Sequence, residues 1–331
     1  MKSEQKILRF GATVIAGAIL LRLLSGGLFG TLVQFFSDPK VTSVLMFMET
    51  GRIYREPVME PVTEDALQPP QPVIQPQTPA LTQAVFSQGD AALVELINVT
   101  SSTVDTAALL TKPLDWDLTA EEPTVLILHT HTTESYTGDY AESSAYHTLD
   151  ENNNMLAIGD RLTELLSAAG INVLHDRGVH DHPSYSGSYN SSRKSVKAYL
   201  EEYPSIRLVL DLHRDASVDS SGNQSAAAVS IEGSSSAKLM LVVGTGSGGL
   251  THPNWQENMS LAIKLQIQLE KQYPGLCRPI NVRTQRFNQD LTAGALLVEV
   301  GTAGNTQAQA LHAAQYLAEG IIALAKGAQL A

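Results

Sequence analysis

Residues 125–136 read VLILHTHTTESY. The first four are a short, continuous apolar run, as expected of a strand buried on both faces. His129, His131 and Glu134 follow at once, so polar groups cluster at the carboxyl end of that strand. Downstream, the period of the apolar residues switches repeatedly. MLAIGDRLTELLSAAG is an amphipathic helix stopped at Gly170, and INVLHD is a strand. SSRKSVKAYLEEYP is a helix stopped at Pro204, and IRLVLDLH, AAAVSIEG and KLMLVVGTG are strands. NWQENMSLAIKLQIQLEKQYPG is a long helix, PINVRTQRF and ALLVEVG are strands, and TQAQALHAAQYLAEGIIALAKG is a last helix. Near-continuous apolar strands alternating with helices predict an α/β fold. Its mostly parallel central sheet is expected to be flanked by helices on both faces.

In such sheets, sites form beyond the carboxyl ends of the strands. Three strand ends here carry chemistry: His129 to Glu134 after VLIL, His213-Arg214-Asp215 after LVLDL, and Glu299 in LLVEVG. A catalytic zinc takes three ligands from histidine and carboxylate and keeps one position for water. His131-x-x-Glu134 offers two donors from one turn, and His213 offers a third. Glu299, set between valines, is a buried carboxylate that needs a partner or a task. It suits a general base that takes a proton from a metal-bound water and passes it to a leaving amine. A structural ion pair for Glu299 and a packed, hydrogen-bonded His129 are the plainer alternatives.

The chain of 331 residues is 43% hydrophobic and carries a net charge of −12. That balance argues against a nucleic-acid partner, which calls for a basic face. Cys277 is the only cysteine, so any metal is left to His, Asp and Glu. Near the amino terminus, Lys2, Lys6 and Arg9 precede an apolar run, Phe10 to Phe36, long enough to cross roughly 30 Å of hydrocarbon. Arg22 inside it costs about 2.5–3.5 kcal/mol, which the surrounding Leu and Ile residues can offset. The expectation is a single-pass anchor over 10–36 with residues 1–9 cytoplasmic and the remainder extracytoplasmic. A cleaved signal peptide is the competing reading. Residues 37–83 are rich in Pro and Gln and read as a spacer. Residues 84–120 form a short preface to a catalytic domain over 121–331.

Taken together, VLILHTHTTESY, DLHRDA, HPNWQENMSLAIKLQ, YPGLCRPI, RFNQDL and ALLVEVGTAGN resemble the stage II sporulation protein P family. The resemblance covers about Leu93 to Lys326. It implies a fold similar to that of zinc N-acetylmuramoyl-L-alanine amidases. It also implies zinc-dependent cleavage between muramic acid and the stem peptide of peptidoglycan, with possible endopeptidase action. The setting it implies is forespore engulfment during sporulation, in the cell membrane facing the space between mother cell and forespore. Stage II sporulation proteins D and M are the partners it implies. In amidase terms, the zinc-binding His falls on His131, the second His on His213, and the late catalytic Glu on Glu299. The amidases place their second ligand just before the first helix, where this chain has Asp150 and Glu151, so these rival Glu134.

The remaining motifs have two readings each. Arg214 could bind a stem-peptide carboxylate or form an ordinary ion pair. Asn288 and Gln289 suit hydrogen bonds to glycan or peptide amides, or a turn. His252-Pro253-Asn254 reads first as a helix start capped by Asn254. The glycine-rich VVGTGSGGL lacks the Lys-Ser/Thr of a phosphate loop. Two rival functions stand beside the hydrolase: a silent peptidoglycan-binding scaffold, and a His-x-x-Glu metallopeptidase acting on proteins.

Overall fold

In the computed structural model the described residues are 81, 83–114, 116–138, 146–217 and 224–331. All belong to one compact unit, Pro57–Ala331. The anchor over 10–36 and nearly all of the 37–83 spacer lie outside the described residues. Among the described residues no helix is long and apolar enough to cross a membrane.

The strands are β1 (Ala84–Phe86), β2 (Leu96–Asn98), β3 (Val125–Leu128), β4 (Val173–His175), β5 (Leu208–Asp215), β6 (Ala228–Ile231), β7 (Ser234–Ala237), β8 (Leu239–Gly244), β9 (Ile280–Arg283), β10 (Ala295–Thr302) and β11 (Ala328–Leu330). The α-helices are α1 (Thr106–Thr111), α2 (Met155–Ala168), α3 (Ser188–Glu202), α4 (Trp255–Gln272) and α5 (Gln307–Ala323). Seven strands form the main sheet in the order β2-β9-β8-β10-β5-β3-β4. Every neighbouring pair is parallel except β10 with β8. The chain leaves β3 by way of α2 to reach β4 on one side. It then returns through α3 to β5 on the other side of β3. The strand order therefore reverses at β3, and a crevice opens between the carboxyl ends of β3 and β5.

Strand alternation sorts side chains between two faces. Ile127, Leu210, Leu212, Leu241, Val243, Ile280, Val298 and Val300 enter the large core, which α2, α4 and α5 cover. Leu126, Leu128 and Val209 pack instead with Val196 under α3. Over β8 and β10 that second face holds a small cluster of Met240, Val242, Leu297 and Phe287, with Tyr189 packed against it. Helices on both faces are thus realised over β3, β4 and β5. Over β8 and β9 the second face is covered more thinly, because INVR alternates: Ile280 and Val282 are buried while Asn281 and Arg283 stay partly exposed.

Two further elements depart from expectation. AAAVSIEG forms no part of the main sheet; β6 pairs antiparallel with β7 in a separate hairpin. Asn254 occupies the N-cap position of α4 but makes no side-chain capping bond; its Nδ2 donates instead to the Asp290 carbonyl at 3.1 Å.

On α5, the Glu319 carboxylate accepts the Tyr273 hydroxyl, and burial, then the nearby Glu232 charge, lifts its pKa to about 7. A folded pKa above the unfolded one means the native state loses stability as pH rises through roughly 4.5 to 7. Glu319→Gln should therefore be more stable than wild type at pH 8, by on the order of 1–2 kcal/mol after allowance for solvent screening. At pH 4 the two should match. Urea titrations at both pH values check this, and an equal difference at both would contradict it.

Candidate active site

β3 ends at Leu128. Val125 and Ile127 face α2, and His129 continues that face: its Nδ1 lies 3.2 Å from the Leu212 carbonyl and its Nε2 lies 2.8 Å from His175 Nε2. Burial, then the His175 ring, drives the His129 pKa down to about 3. This imidazole pair rests on Gly159. A Cβ there would lie 2.4 Å from His175 Nε2 and 2.5 Å from His129 Nε2. Gly159→Ala should therefore cost about 3 kcal/mol, the upper end for overpacking. A denaturation midpoint equal to wild type would show that the rings move aside.

The turn after Thr130 re-aims the chain toward the opposite face. His131 is buried, and its Nδ1 makes no hydrogen bond. The Tyr185 ring stacks on it at 4.2 Å with the hydroxyl 3.0 Å from Nε2, and Tyr189 meets it edge-on at 5.6 Å. The His213 ring lies 5.2 Å away. Burial first, then the neighbouring His213, pushes the His131 pKa well below its ordinary value, so the ring is neutral and can offer a lone pair.

Glu134 closes the turn, its N–H donating to the His131 carbonyl at 3.1 Å. Its Oε2 accepts the Arg214 backbone N–H at 3.1 Å and lies 3.6 Å from His213 Nδ1; its Oε1 lies 3.5 Å from Arg214 Nη1. Burial raises the Glu134 pKa, and Arg214 opposes that rise. The Arg214 guanidinium also donates to the carbonyls of Ser135 at 3.0 Å and Tyr146 at 2.9 Å, which ties the loop after β3 to the end of β5. Glu151 and Asp150 point elsewhere. Glu151 pairs with Arg177 at 2.7 Å on the surface, and Asp150 holds the amides of Asn152 and Asn153.

On β5 the residues alternate, so Asp211 and His213 share the face under α3. His213 Nε2 lies 2.9 Å from Asp211 Oδ1, at ion-pair distance though not aligned as a hydrogen bond. Asp211 in turn accepts the Thr130 N–H at 2.7 Å and hydroxyl at 2.6 Å. Burial alone would lower the His213 pKa, but Asp211, then Glu134 and Glu299, raise it to about 9. Glu299 on β10 is in register with His213 on β5. Gly301, two residues on, adopts φ +76°, and a Cβ there would meet Ala237 at 2.7 Å; only glycine fits this irregularity. Asn305 clamps the same loop by accepting the N–H groups of Thr302 at 2.9 Å and Ala227 at 3.2 Å.

Asn288 and Gln289 make no bond to His131, Glu134, His213 or Glu299, though Asn288 reaches Tyr189 and Ser192, which touch His131 and Thr130. Gln289 accepts the Gly244 N–H and donates to the Val242 carbonyl, both at 2.8 Å, so it pins the end of β8. Asn288 donates to the Tyr189 carbonyl at 2.8 Å and accepts from Arg193 at 3.2 Å. Asp211, Asp181 and Tyr185 were not anticipated. Asp211 was within reach of the strand period, as a carboxylate two residues before His213 in an apolar strand. Asp181, which accepts the Thr133 hydroxyl at 2.6 Å, sits in a loop and Tyr185 opens a single 3-10 turn, Tyr185–Gly187, neither with a periodic signal.

Among the described residues no group of three or more His, Cys, Asp or Glu side chains is placed to hold a metal as it stands. The donor set fits zinc nonetheless. It comprises two imidazoles and a carboxylate, with the His131 Nδ1 lone pair buried and unspent. The buried carboxylates of Asp211 and Glu134 lie 2.9 and 3.6 Å from the His213 ring nitrogens, so oxygen and nitrogen donors stand side by side here.

Fold and site together define an α/β protein with a buried His/Glu cluster at the switch-point crevice of a mostly parallel sheet. The chain belongs to the Stage II sporulation protein P family, whose model matches residues 65–322. It is 30% identical over 220 residues to Stage II sporulation protein P of Bacillus subtilis (strain 168). That match covers 61% of this chain and 51% of the relative, about half its length. Solved structures with partial likeness include the CwlD amidase from Clostridioides difficile in complex with the GerS lipoprotein (15% identity, 60% of this chain and 95% of that one, TM-score 0.40). Another is an N-acetylmuramoyl-L-alanine amidase from Clostridium difficile 630 (16% identity, 61% and 94%, TM-score 0.37). A third is the catalytic domain of CwlV, an N-acetylmuramoyl-L-alanine amidase from Bacillus (Paenibacillus) polymyxa (14% identity, 60% and 96%, TM-score 0.35).

Proposed function

We propose that this chain is a membrane-anchored peptidoglycan hydrolase of sporulation, a zinc-dependent amidase that cuts the bond between N-acetylmuramic acid and the first residue of the stem peptide. The observation that carries the reading is the convergence of His131, Glu134, His213 and Glu299 at the carboxyl ends of β3, β5 and β10. His131, Glu134 and His213 would hold zinc, with His131 Nδ1 and His213 Nδ1 as the nitrogen donors. When bound there, zinc would supply an activated water at neutral pH and polarise the amide carbonyl. Glu299 would take a proton from the attacking water and return it to the departing amine. Asp211 and Arg214 hold His213 and Glu134 in place, and Tyr185 and Tyr189 wall the site against bulk water. Crosslink endopeptidase action at the same site belongs to this reading.

The organisation we propose is a cytoplasmic stub over 1–9, an anchor over 10–36, a spacer over 37–83, a preface over 84–120 and a catalytic domain over 121–331. The catalytic domain faces the space between mother cell and forespore, alongside stage II sporulation proteins D and M. Family membership supports this setting.

Digestion of purified peptidoglycan and of casein, side by side with and without added zinc, tests the function. Mass spectrometry should detect stem peptides with a newly freed amino-terminal alanine from peptidoglycan and nothing from casein. Binding of peptidoglycan without any cleavage would favour the scaffold reading, and cleavage of casein the metallopeptidase one.

A further inference from the structure

The turn after β3 is gripped from outside by residues 176–187, the segment between β4 and α3. Three consecutive residues of the turn each meet that segment. The Thr132 hydroxyl lies 2.8 Å from the Gly178 carbonyl and accepts the His180 N–H at 3.2 Å. Thr133 gives its N–H, at 3.2 Å, and its hydroxyl, at 2.6 Å, to the Asp181 carboxylate. His131 meets Tyr185, whose ring is parallel to its own within 2° at 4.2 Å, with the hydroxyl 3.0 Å from Nε2. The segment is itself anchored. Asp176 accepts the Gly178 N–H at 2.9 Å and the Ser195 hydroxyl, and its Oδ2 lies 3.0 Å from His180 Nε2. His180 Nδ1 lies 3.0 Å from the Ser191 hydroxyl on α3. Tyr185 then opens a 3-10 turn that runs directly into α3, so its ring is carried by a regular element rather than by a loose loop.

This contact bears on where the proton of His131 sits. An uncharged imidazole carries one proton, on one of its two nitrogens. Suppose the Tyr185 hydroxyl donates to Nε2. The proton is then on Nδ1, which is buried and makes no hydrogen bond, and a buried donor is left unsatisfied. No cation could relieve it. Suppose instead that Nε2–H donates to the Tyr185 oxygen, which can accept while its own proton points elsewhere. Nδ1 then presents a bare lone pair, and a cation is the partner that satisfies it. The hydrogen bond at one ring nitrogen thereby decides what the other can do.

We infer that Tyr185 is a positioning residue that fixes His131 as the Nε2–H tautomer, leaving Nδ1 as a ready-made nitrogen donor. The use of that lone pair rests on the zinc hydrolase reading. The tautomer is a property of the metal-free protein and does not. The stacked ring adds a second restraint, because rotation of the imidazole about its bond to the backbone would break both the parallel contact and the bond at Nε2. Outer partners of this kind typically change metal affinity by about 10–100-fold when removed.

The test uses the full chain, stripped of metal and carrying isotope-labelled histidine. Long-range proton–nitrogen NMR spectra distinguish the two tautomers by their ring nitrogen shifts, with His131→Gln supplying the assignment. Wild type should show His131 protonated at Nε2 alone. Tyr185→Phe keeps the stacking ring and removes only the oxygen, and it should show a mixture of tautomers. Competition against a chromogenic chelator should give a zinc Kd about tenfold weaker for that variant. A purely structural role for the hydroxyl would lower stability without moving the tautomer. A proton on Nδ1 in wild type would overturn the inference, and that spectrum needs no variant to fold. A tautomer and a Kd both indifferent to Tyr185→Phe would overturn it as well, while leaving zinc binding in place. Wild type with the expected tautomer that takes up no zinc would sink the zinc reading and leave the hold of Tyr185 on His131 standing.

Discussion

Replacing Glu299 by Gln is expected to reduce turnover of purified peptidoglycan by about 10³-fold, within the range usual for loss of a positioned general base. Gln matches Glu in shape but cannot take up a proton. Glu299 is 7% exposed and in register with His213, so its place is set by the β10–β5 pairing and by the Gly301 irregularity that ends it. Neither depends on charge, and the variant should fold with an unchanged circular dichroism spectrum. Metal content should also stay at the wild-type value, because the donors proposed for zinc are His131, Glu134 and His213. Activity within tenfold of wild type would remove Glu299 from the mechanism. A parallel loss of metal would make it a ligand instead.

His213→Ala is expected to act on both stability and metal. In the metal-free protein, His213 is the cation between Asp211 at 2.9 Å and Glu134 at 3.6 Å. Removing it leaves buried carboxylates without that partner, a loss that typically costs about 3–5 kcal/mol. Asp211 keeps its bonds from Thr130, and Glu134 keeps Arg214, so the lower end, about 3 kcal/mol, is expected. The same substitution should lower bound zinc from near one per chain to near none. Urea denaturation of metal-free protein and elemental analysis of zinc-loaded protein report the two effects separately. A metal-free variant as stable as wild type would mean that the carboxylates take up protons at little cost. Retained zinc would mean that the ligand set lies elsewhere. The control Glu151→Ala should change neither quantity, since Glu151 lies on the surface with Arg177.

Much of this molecule was legible in one dimension. The period switches from VLIL onward defined the α/β class, and α2 to α5 formed where the 3.6-residue pattern lay between its stop signals at Gly170, Pro204 and Pro274. His131, Glu134, His213 and Glu299 could be singled out because a polar group at the end of an apolar strand is costly unless it is used. Other features depended on chain crossings. Reversal of strand order at β3 put His131 and His213, 82 positions apart in sequence, within 5.2 Å. Glu134 and Glu151 look alike as letters, and only the turn after β3 aims the first at His213 while the turn before α2 leaves the second on the surface with Arg177. Asn288 and Gln289 look suited to a ligand, and only the fold shows that their amides also bond β8 and α3. Local pattern determines which face a residue prefers, because side-chain direction follows backbone period. Which faces meet is decided by how strands pair across long separations, where burial of the whole core outweighs any local preference.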